Sequence, residues 1–234
     1  MKISIQEKTK RVNSVFSQVY KKYDLMNDIM SFGIHRIWKR RLIEWMNPQP
    51  NETLIDVASG TGDIAKLFLD KVKNRGFVYC VDQNKEMLNL NKKKIKEKSK
   101  VKWICSNAEK LPFKSNYFDY YTISFGIRNV NNLEKTLKEA YRVLKPGGRF
   151  LCLEFSKVKN EMMNKFYKTY SKSIPTIGKF IVGKSEPYAY LINSIEKFSS
   201  QEEFFNKIEN QNFVNVSYRN MSGGIVSIHS AWKV

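Results

Sequence analysis

Small and acidic residues between Asp56 and Asp63 form the segment of this chain best suited to binding a nucleotide. The segment reads Asp-Val-Ala-Ser-Gly-Thr-Gly-Asp and follows an apolar run that predicts a β-strand. Glycine lets a turn approach a ligand closely, and the helix that follows offers N–H groups without intrahelical partners. The pattern predicts a cofactor loop with contacts at Asp56, Gly60, Thr61 and Gly62; a turn that binds no ligand is the alternative.

Two classes of nucleotide cofactor are compatible with this loop. Gly60–Ala65 satisfies the G-x-G-x-x-A fingerprint of dinucleotide-binding proteins, and Asp82 follows at about the ~20-residue spacing of a ribose-binding carboxylate. Read from Asp56, the same stretch resembles the D-x-G-x-G-x-G loop of S-adenosylmethionine-dependent methyltransferases. Asp63 would repel a pyrophosphate at close range, whereas carboxylates suit a positively charged sulfonium. The loop chemistry therefore favours S-adenosylmethionine.

Polar residues follow the predicted strands at the edge of the sheet where ligands bind. In an open α/β sheet the ligand lies beyond the carboxyl ends of the strands. Asp82 ends the second strand and is placed to accept both ribose hydroxyls, as a carboxylate can. Asn107 and Ala108 follow the third strand, where a side-chain amide and a backbone N–H would read the adenine edge. Ser124 and Phe125 close the fourth strand.

Apolar runs alternate with helical patterns along the chain, which is typical of βαβ units and a parallel sheet. We predict one domain over residues 1–234, with an N-terminal helical cap segment at 1–50 and a helical insertion or lid at 157–210. A helix is predicted over Leu133–Leu144, ended by a turn at Lys145–Gly148. The predicted strands are Thr53–Val57, Phe77–Asp82, Val101–Ser106, Phe118–Ser124, Arg149–Phe155, Val214–Tyr218 and Ile225–Trp232.

The connection between the last two predicted strands is too short for a helical crossover, so these strands should pair antiparallel. Seven strands with the last one antiparallel are the arrangement of the class I methyltransferase fold. A dinucleotide-binding domain would instead continue with further parallel strands. We therefore predict an α/β, Rossmann-like fold with a seven-stranded, mostly parallel sheet, an antiparallel last strand and helices on both faces.

The chain carries 41 Lys and Arg against 22 Asp and Glu, a formal net charge of +19. Such an excess is compatible with nucleic acid, an anionic membrane surface or no specific partner, and Lys92–Lys98 reads as the solvated face of a helix. Neither an apolar run of ~18 residues nor a signal peptide is present, so we expect a cytoplasmic protein. Cys80, Cys105 and Cys152 fall in predicted central strands, where we expect burial, and their spacing predicts no zinc site and no disulfide framework.

Three motifs resemble those of the ubiquinone/menaquinone biosynthesis C-methyltransferase family. Tyr23–Trp38 has the form Y-D-x-M-N-x-x-[apolar]-S-x-x-x-H-x-x-W, Ile123–Val130 contains Ser-Phe-Gly-Ile-Arg-Asn, and Arg142–Ser156 contains Arg-Val-Leu-Lys-Pro-Gly-Gly. The resemblance extends from about Val15 to Lys233. It implies S-adenosylmethionine-dependent methylation of a ring carbon on a polyprenylated quinol: a 2-polyprenyl-6-methoxy-1,4-benzoquinol, a demethylmenaquinol, or both.

The same resemblance assigns cofactor contacts to individual positions of this chain. They are Thr61, Asp82, Asn107, Ala108 and Ser124. The chain departs from the family pattern in the cofactor loop, where Ala58 replaces the first glycine and Ser59 stands where many relatives carry glycine. Both residues are small, so we expect the loop to tolerate them.

Carbon methylation requires the ring to act as an enolate-like nucleophile, so a phenolic proton of pKa near ~10 must leave. The resemblance points to Arg128 with Asn129, directly after the fourth strand. Arginine stays protonated, so we expect Arg128 to stabilise the phenolate or to relay the proton through water; pairing with a helix-end carbonyl is the alternative. His35 is predicted either to take the phenolic proton or to be a buried structural histidine.

Predicted substrate contacts are Tyr23 and Asn27, on a helix expected to fold over the cofactor, and Phe125. Large apolar residues between Met162 and Ile181 recur at helical spacing, which predicts either core or a lid or membrane-facing slot for the isoprenoid tail. The positive charge then fits an anionic membrane surface. We expect peripheral association with the inner face of the membrane, and a homodimer or a quinone-biosynthesis assembly as the protein partner.

Two other functions are compatible with a cofactor loop of this kind. The charge suggests a nucleic-acid methyltransferase, but neither a [DNS]-P-P-[FY] motif nor a catalytic Pro-Cys follows the fourth strand, so we expect no nucleic-acid partner. A non-catalytic cofactor-binding subunit is the other alternative. The presence of Thr61, Asp82 and Arg128 counts against it.

Overall fold

The computed structural model describes residues 25, 27, 28, 31, 33–158, 170, 176, 179 and 186–234. The described helices are α1 (His35–Met46), α2 (Asp63–Lys71), α3 (Lys85–Lys94), α4 (Leu133–Val143), α5 (Glu186–Lys197) and α6 (Gln201–Glu209). The strands are β1 (Thr53–Val57), β2 (Phe77–Asp82), β3 (Val101–Cys105), β4 (Phe118–Ser124), β5 (Leu144–Phe155), β6 (Val214–Met221) and β7 (Val226–Trp232). Short 3₁₀ turns lie at Lys98–Lys100, Ile127–Asn129 and Ser222–Gly224.

The seven strands form one sheet in the order β3-β2-β1-β4-β5-β7-β6. Neighbouring strands from β3 to β5 pair in parallel, whereas β7 runs antiparallel to both β5 and β6. This arrangement confirms the predicted fold class. The chain builds β2 and β3 on one side of β1 and then places β4 on the other side, which creates the switch point where ligands bind in open α/β sheets.

Apolar side chains cover both faces of the sheet because strand residues point alternately to opposite sides. Within β1, Leu54 belongs to a core that includes Trp38 of α1 and Phe68 of α2. Its neighbour Ile55 belongs to a second core that includes Leu137 of α4. The sheet therefore lies between two helical layers, and its strand ends are left to carry polar groups.

The cysteine prediction is correct for two of the three residues. Cys80 and Cys152 are buried in β2 and β5, but Cys105 is exposed. The sheet order explains the difference, because β3 is an edge strand and Cys105 is its last residue. An apolar run identifies a strand without telling whether that strand is central.

The turn predicted at Lys145–Gly148 is instead a bulge inside β5. Leu144 pairs with Phe118 and Arg149 pairs with Tyr120, so four residues are accommodated opposite a single residue of β4. Within the bulge, the backbone N–H of Gly147, at φ +78°, donates to the carbonyl of Lys233 at 2.8 Å. Hydrogen bonds to the end of the chain thus hold the segment in the sheet, and sequence periodicity does not reveal them.

The two predicted helical additions are described only in part. Of the segment at 1–50, the description includes residues 25, 27, 28, 31 and 33–50; of the segment at 157–210, it includes 157, 158, 170, 176, 179 and 186–210. Most of the apolar pattern between Met162 and Ile181 lies outside the described residues. Within the described ranges, no helix is long and apolar enough to cross a membrane.

Candidate active site

A cavity of about 800 Å³ lies at the carboxyl ends of β1, β2, β3 and β4. The volume includes space that is open to solvent. The cavity is bounded by the cofactor loop, the end of β2, the turn after β3 and the turn after β4. The predicted site residues that line it are Gly60, Asp82, Ala108, Ser124, Phe125 and Asn129.

The carboxylate of Asp82 holds the cofactor loop at the mouth of this cavity. Its Oδ2 accepts a hydrogen bond from the Gly60 N–H at 2.9 Å, and its Oδ1 accepts one from the Asn84 N–H at 2.9 Å. Burial raises the pKa of Asp82, and these backbone donors oppose the rise. Each carboxylate oxygen has capacity for a further donor, so the geometry is compatible with the predicted contact to two ribose hydroxyls.

The cofactor loop needs glycine at Gly62 for conformation and for packing. Gly62 has φ +83°, and a Cβ built there would overlap the side-chain amide of Asn91 on α3. Its N–H donates to the Ser59 carbonyl at 2.9 Å, closing the turn. Gly62 lines neither this cavity nor the smaller one beside it. Gly62 therefore shapes the loop without lining either cavity.

A second cavity of about 330 Å³ adjoins the first behind the cofactor loop. Asp56 and Thr61 line it, together with Lys39 of α1 and Asp63 of α2. The Lys39 Nζ lies 2.7 Å from Asp63 Oδ2. Desolvation opposes ionisation of Asp63, but the charge and hydrogen bond of Lys39 outweigh it, so the pKa of Asp63 lies below its ordinary value.

Asp56 supplies the second cavity with an oxygen that has no hydrogen-bond partner among the described residues. Its Oδ1 accepts from Thr122 Oγ1 at 2.8 Å, whereas Oδ2 is buried and unpaired. Burial raises the pKa of Asp56 to about 7. A buried acceptor normally has a donor, so Oδ2 is available to a cationic donor of a ligand. With Lys39 and Asp63 nearby, the cavity suits a ligand end that carries both charges.

The walls of the two cavities contain two non-glycine residues in the left-handed backbone region. Ala58 has φ +52° and Phe125 has φ +55°, and both line both cavities. Such φ values are uncommon for non-glycine residues, above all for bulky ones. The Phe125 ring packs against Trp38 and Phe155, at centroid distances of 6.2 and 5.0 Å. Packing thus holds Phe125 in this conformation at the cavity wall.

The predicted adenine contacts are placed unequally. Ala108 lines the main cavity, whereas Asn107 does not, and the Asn107 Oδ1 accepts the Glu109 N–H at 2.8 Å. Ser124 lines both cavities, and its buried hydroxyl has no hydrogen-bond partner within the described chain. Ala108 and Ser124 are therefore in position to contact a ligand, while the Asn107 side chain closes a turn beside it.

The turn after β4 directs Asn129 and Arg128 differently. Asn129 lines the main cavity, and its Oδ1 accepts a hydrogen bond from the Tyr190 hydroxyl at 3.2 Å. The Arg128 side chain is only 3% exposed, and its Nη1 lies 2.6 Å from Glu154 Oε1 and 2.6 Å from the Phe125 carbonyl. Arg128 does not line the cavity; its ion pair with Glu154 lies directly behind the cavity wall.

Among the described N-terminal residues predicted to take part, neither Asn27 nor His35 lines either cavity. The His35 Nε2 lies 2.9 Å from Asp28 Oδ1, and burial lowers the pKa of His35. This environment favours the structural interpretation of His35. The backbone carbonyl of Asn27 accepts from Ser31 Oγ at 2.6 Å. Tyr23 lies outside the described residues.

Three residues at the site escaped the sequence-based prediction. Lys39 lies one helical turn after His35, so their spacing places them on one face of α1. Glu154 is a carboxylate inside an apolar strand, and a charge in such a position needs a partner. These signals indicate that the side chains of Lys39 and Glu154 are both buried. Tyr190 carried no such signal, since its contact with Asn129 depends on where α5 packs.

Comparisons with known proteins support the family resemblance and the fold described above. Residues 4–233 match the model of the ubiE/COQ5 methyltransferase family. The ubiquinone/menaquinone biosynthesis C-methyltransferase UbiE of Rickettsia bellii is 53% identical, over 100% of this chain and 96% of that protein. UbiE of Brucella suis is 48% identical over 97% of this chain and 87% of that protein. A crystal structure of an S-adenosylmethionine-dependent methyltransferase from Thermotoga maritima, a possible histamine N-methyltransferase, has a TM-score of 0.68 at 18% identity, over 95% of this chain and 99% of that one.

Proposed function

This chain belongs to the ubiE/COQ5 methyltransferase family, and we propose that it transfers the methyl group of S-adenosylmethionine to a ring carbon of a polyprenylated quinol in ubiquinone or menaquinone biosynthesis. The UbiE proteins that it matches over 97% or more of its length are named for this pathway. The observation that carries the proposal is that Asp82 after β2 and Asn129 after β4 line one cavity. The residues predicted to hold the cofactor and those predicted to act on the acceptor thus share one space.

The residues of the two cavities fit the parts of S-adenosylmethionine. Asp82 is suited to the ribose hydroxyls and Ala108 to the adenine edge. The unpaired Asp56 Oδ2 and the Lys39–Asp63 pair suit the ammonium and carboxylate of the methionine end. When bound, S-adenosylmethionine supplies an electrophilic methyl group on a sulfonium. Carboxylates around the loop disfavour a pyrophosphate, which supports this cofactor over a dinucleotide.

The acceptor chemistry that the protein must support is ionisation of a quinol hydroxyl, because the phenolate makes the neighbouring ring carbon nucleophilic. After that carbon has taken the methyl group, it would release its hydrogen as a proton, which restores the aromatic ring. Arg128, paired with a carboxylate and permanently charged, is not a proton acceptor. We assign it an electrostatic role behind the cavity wall. Asn129 and Phe125 face the cavity and are assigned to orient the ring. The roles predicted from the sequence for Tyr23, Asn27 and His35 remain predictions.

The function is tested with purified protein, S-adenosylmethionine and two reduced acceptors under argon, a short-tailed demethylmenaquinol and a short-tailed 2-polyprenyl-6-methoxy-1,4-benzoquinol. Mass spectrometry of the extracted quinones should show one added ring methyl on at least one acceptor. The oxidised quinones are the matched controls and should give no product, because they have no ionisable hydroxyl. Methylation of an added RNA without methylation of either quinol would overturn the proposal.

We also propose that the protein associates peripherally with the inner, anionic face of a membrane, where a polyprenylated substrate resides. An exposed basic surface supports this assignment. Its lysines are Lys92, Lys93, Lys94, Lys96, Lys98 and Lys102, all exposed. Beside them Phe77 is 46% exposed, and the Lys100 Nζ lies 4.5 Å from its ring centroid. Lysines mixed with an exposed aromatic ring suit a lipid surface.

Flotation with vesicles of phosphatidylglycerol and phosphatidylethanolamine tests this surface. Changing Lys93, Lys96 and Lys98 to Gln should weaken binding about 100-fold, since each suitably placed lysine contributes about 1 kcal/mol. Changing Lys66, Lys135 and Lys138, which are also exposed, is the charge-matched control. Equal losses in both triple variants would mean that total charge, rather than this surface, governs binding. Light scattering of the protein without vesicles would report a homodimer or larger assembly.

A further inference from the structure

We propose that Glu154 is a positioning residue for methyl transfer: it holds the Arg128 guanidinium against the back of the turn after β4 and balances its charge. The proposal rests on the function proposed above and adds to it a residue that does not line the cavity. Glu154 lies on β5, 26 residues along the chain from Arg128. It would act on the acceptor only through Arg128 and through the cavity residues that flank Arg128.

The contact between the two side chains is close and shielded from solvent. Glu154 Oε1 accepts from Arg128 Nη1 at 2.6 Å, and Oε2 lies 3.4 Å from the Arg128 backbone N–H. The two side chains are 1% and 3% exposed. The Phe155 N–H donates to Glu154 Oε1 at 2.9 Å. Glu154 therefore binds both the side chain and the backbone of Arg128, which ties the turn to β5.

Two further contacts complete the environment of the guanidinium. Arg128 Nη1 donates to the Phe125 carbonyl at 2.6 Å, and Arg128 Nε donates to Ser194 Oγ of α5 at 3.3 Å. The guanidinium carbon also lies 5.6 Å from the centroid of the Phe155 ring. Groups from the turn, from β5 and from α5 thus define a single orientation of the guanidinium.

The contacts of Arg128 affect the shape of the cavity through residues that lie near Arg128 in the chain. Phe125, whose carbonyl Arg128 binds, and Asn129, which follows Arg128, both line the main cavity. Near-attack geometry is sensitive to displacements of about 1 Å, so loosening the turn should slow the chemical step more than it weakens cofactor binding. Glu154 also balances the positive charge of the guanidinium, because an unpaired guanidinium buried here would perturb the turn that it now stabilises.

The test compares kcat and the calorimetric Kd for S-adenosylmethionine in the wild type, Glu154→Gln, Arg128→Gln and the double variant. Glu154→Gln should lower kcat about 10- to 100-fold while changing the cofactor Kd less than threefold. Because Glu154 acts through Arg128, the double variant should be no slower than Arg128→Gln alone. Glu154→Asp keeps the charge and should recover part of the lost rate.

Glu139→Gln is the control, since Glu139 forms an ion pair of the same length with Arg142, 2.6 Å from Nε to Oε1, at a more exposed position that does not line the cavity. If Glu154→Gln has the kcat of Glu139→Gln, or if the two losses at Arg128 and Glu154 multiply in the double variant, the inference is wrong. A rate loss in Glu154→Gln that only follows its unfolded fraction, measured by circular dichroism, also overturns it. No quinol product from the wild type would instead overturn the proposed function itself.

Discussion

Gly126 and Ala58 touch across the site: a Cβ built on Gly126 would overlap the Cβ of Ala58. One residue belongs to the turn after β4 and the other to the cofactor loop after β1, and both line the main cavity. The absence of a side chain at Gly126 is therefore what lets the two turns approach each other. The backbone of Gly126, at φ −120°, is one that alanine can adopt, so this requirement is one of space.

Gly126→Ala should push the two turns apart and weaken S-adenosylmethionine binding at least about tenfold, because overpacking a closed site typically costs 1–3 kcal/mol. Isothermal calorimetry measures the change. The double variant Ala58→Gly/Gly126→Ala removes the opposing methyl group and should recover most of the affinity. Failure of the double variant to bind better than Gly126→Ala would show that the contact with Ala58 is not the cause.

Ala58→Gly alone should stabilise the protein by about 1 kcal/mol, since the left-handed conformation at φ +52° costs a non-glycine residue roughly that amount. For a chain of this size the melting temperature should rise by about 2–4 °C. Differential scanning calorimetry gives the shift. Ala140→Gly, inside α4, is the control with the opposite sign, because glycine destabilises a helix interior.

Asp82→Ala should weaken S-adenosylmethionine binding by about 10- to 1000-fold. The substitution removes a charged acceptor for the ribose and the anchor of the Gly60 N–H, and a hydrogen bond to a charged group contributes about 1.5–3 kcal/mol. Calorimetric titration of the variant is compared with that of Asp70→Ala, an exposed carboxylate on α2. Wild-type affinity in Asp82→Ala would remove Asp82 from the cofactor site.

Arg128→Ala should retain S-adenosylmethionine binding and lose quinol methylation by about 100-fold or more, because its guanidinium lies behind the acceptor side of the cavity rather than in it. Calorimetry and quinone mass spectrometry give the two values on one preparation. Arg41→Ala, which removes an exposed arginine paired with Glu44 on α1, should change neither. Unchanged turnover in Arg128→Ala would exclude Arg128 from the mechanism.

Stability should fall between pH 7 and pH 5, in part because of His229. Burial lowers the pKa of His229 to about 4, and its Nε2 lies 3.0 Å from the Gln201 carbonyl. The unfolded chain, with a pKa near ~6.5, binds the proton first, so this contribution is complete above pH ~6.5 and is lost as the pH falls toward 4. The loss by pH 5 should be about 2 kcal/mol.

Urea unfolding at the two pH values measures the loss for His229. His229→Gln places an amide nitrogen near the Gln201 carbonyl and has no titration in this range, so its stability should depend less on pH by about the same amount. An identical pH dependence in the wild type and the variant would show that other groups, such as the buried His35, account for the loss.

The amino-acid sequence by itself determined the strands that carry the site and the loop between Asp56 and Asp63. Apolar runs, turn residues and glycine spacing are local properties, and β1, β2 and β4 begin and end where they predict. The antiparallel pairing of the last strand was also predicted from local sequence, because its connection to β6 is too short for a crossover. The family motifs were recognised from residue types at set spacings, and the family match confirmed them.

Only the tertiary structure decided which groups meet. The partner of Arg128 is 26 residues away on β5, and the partner of Lys39 is 24 residues away on α2. Exposure of Cys105 depended on β3 being an edge strand, and the need for Gly126 depended on its distance from Ala58. Local patterns set backbone conformation, but the energies of ion pairs, packing and burial depend on distances that arise only when the sheet is assembled.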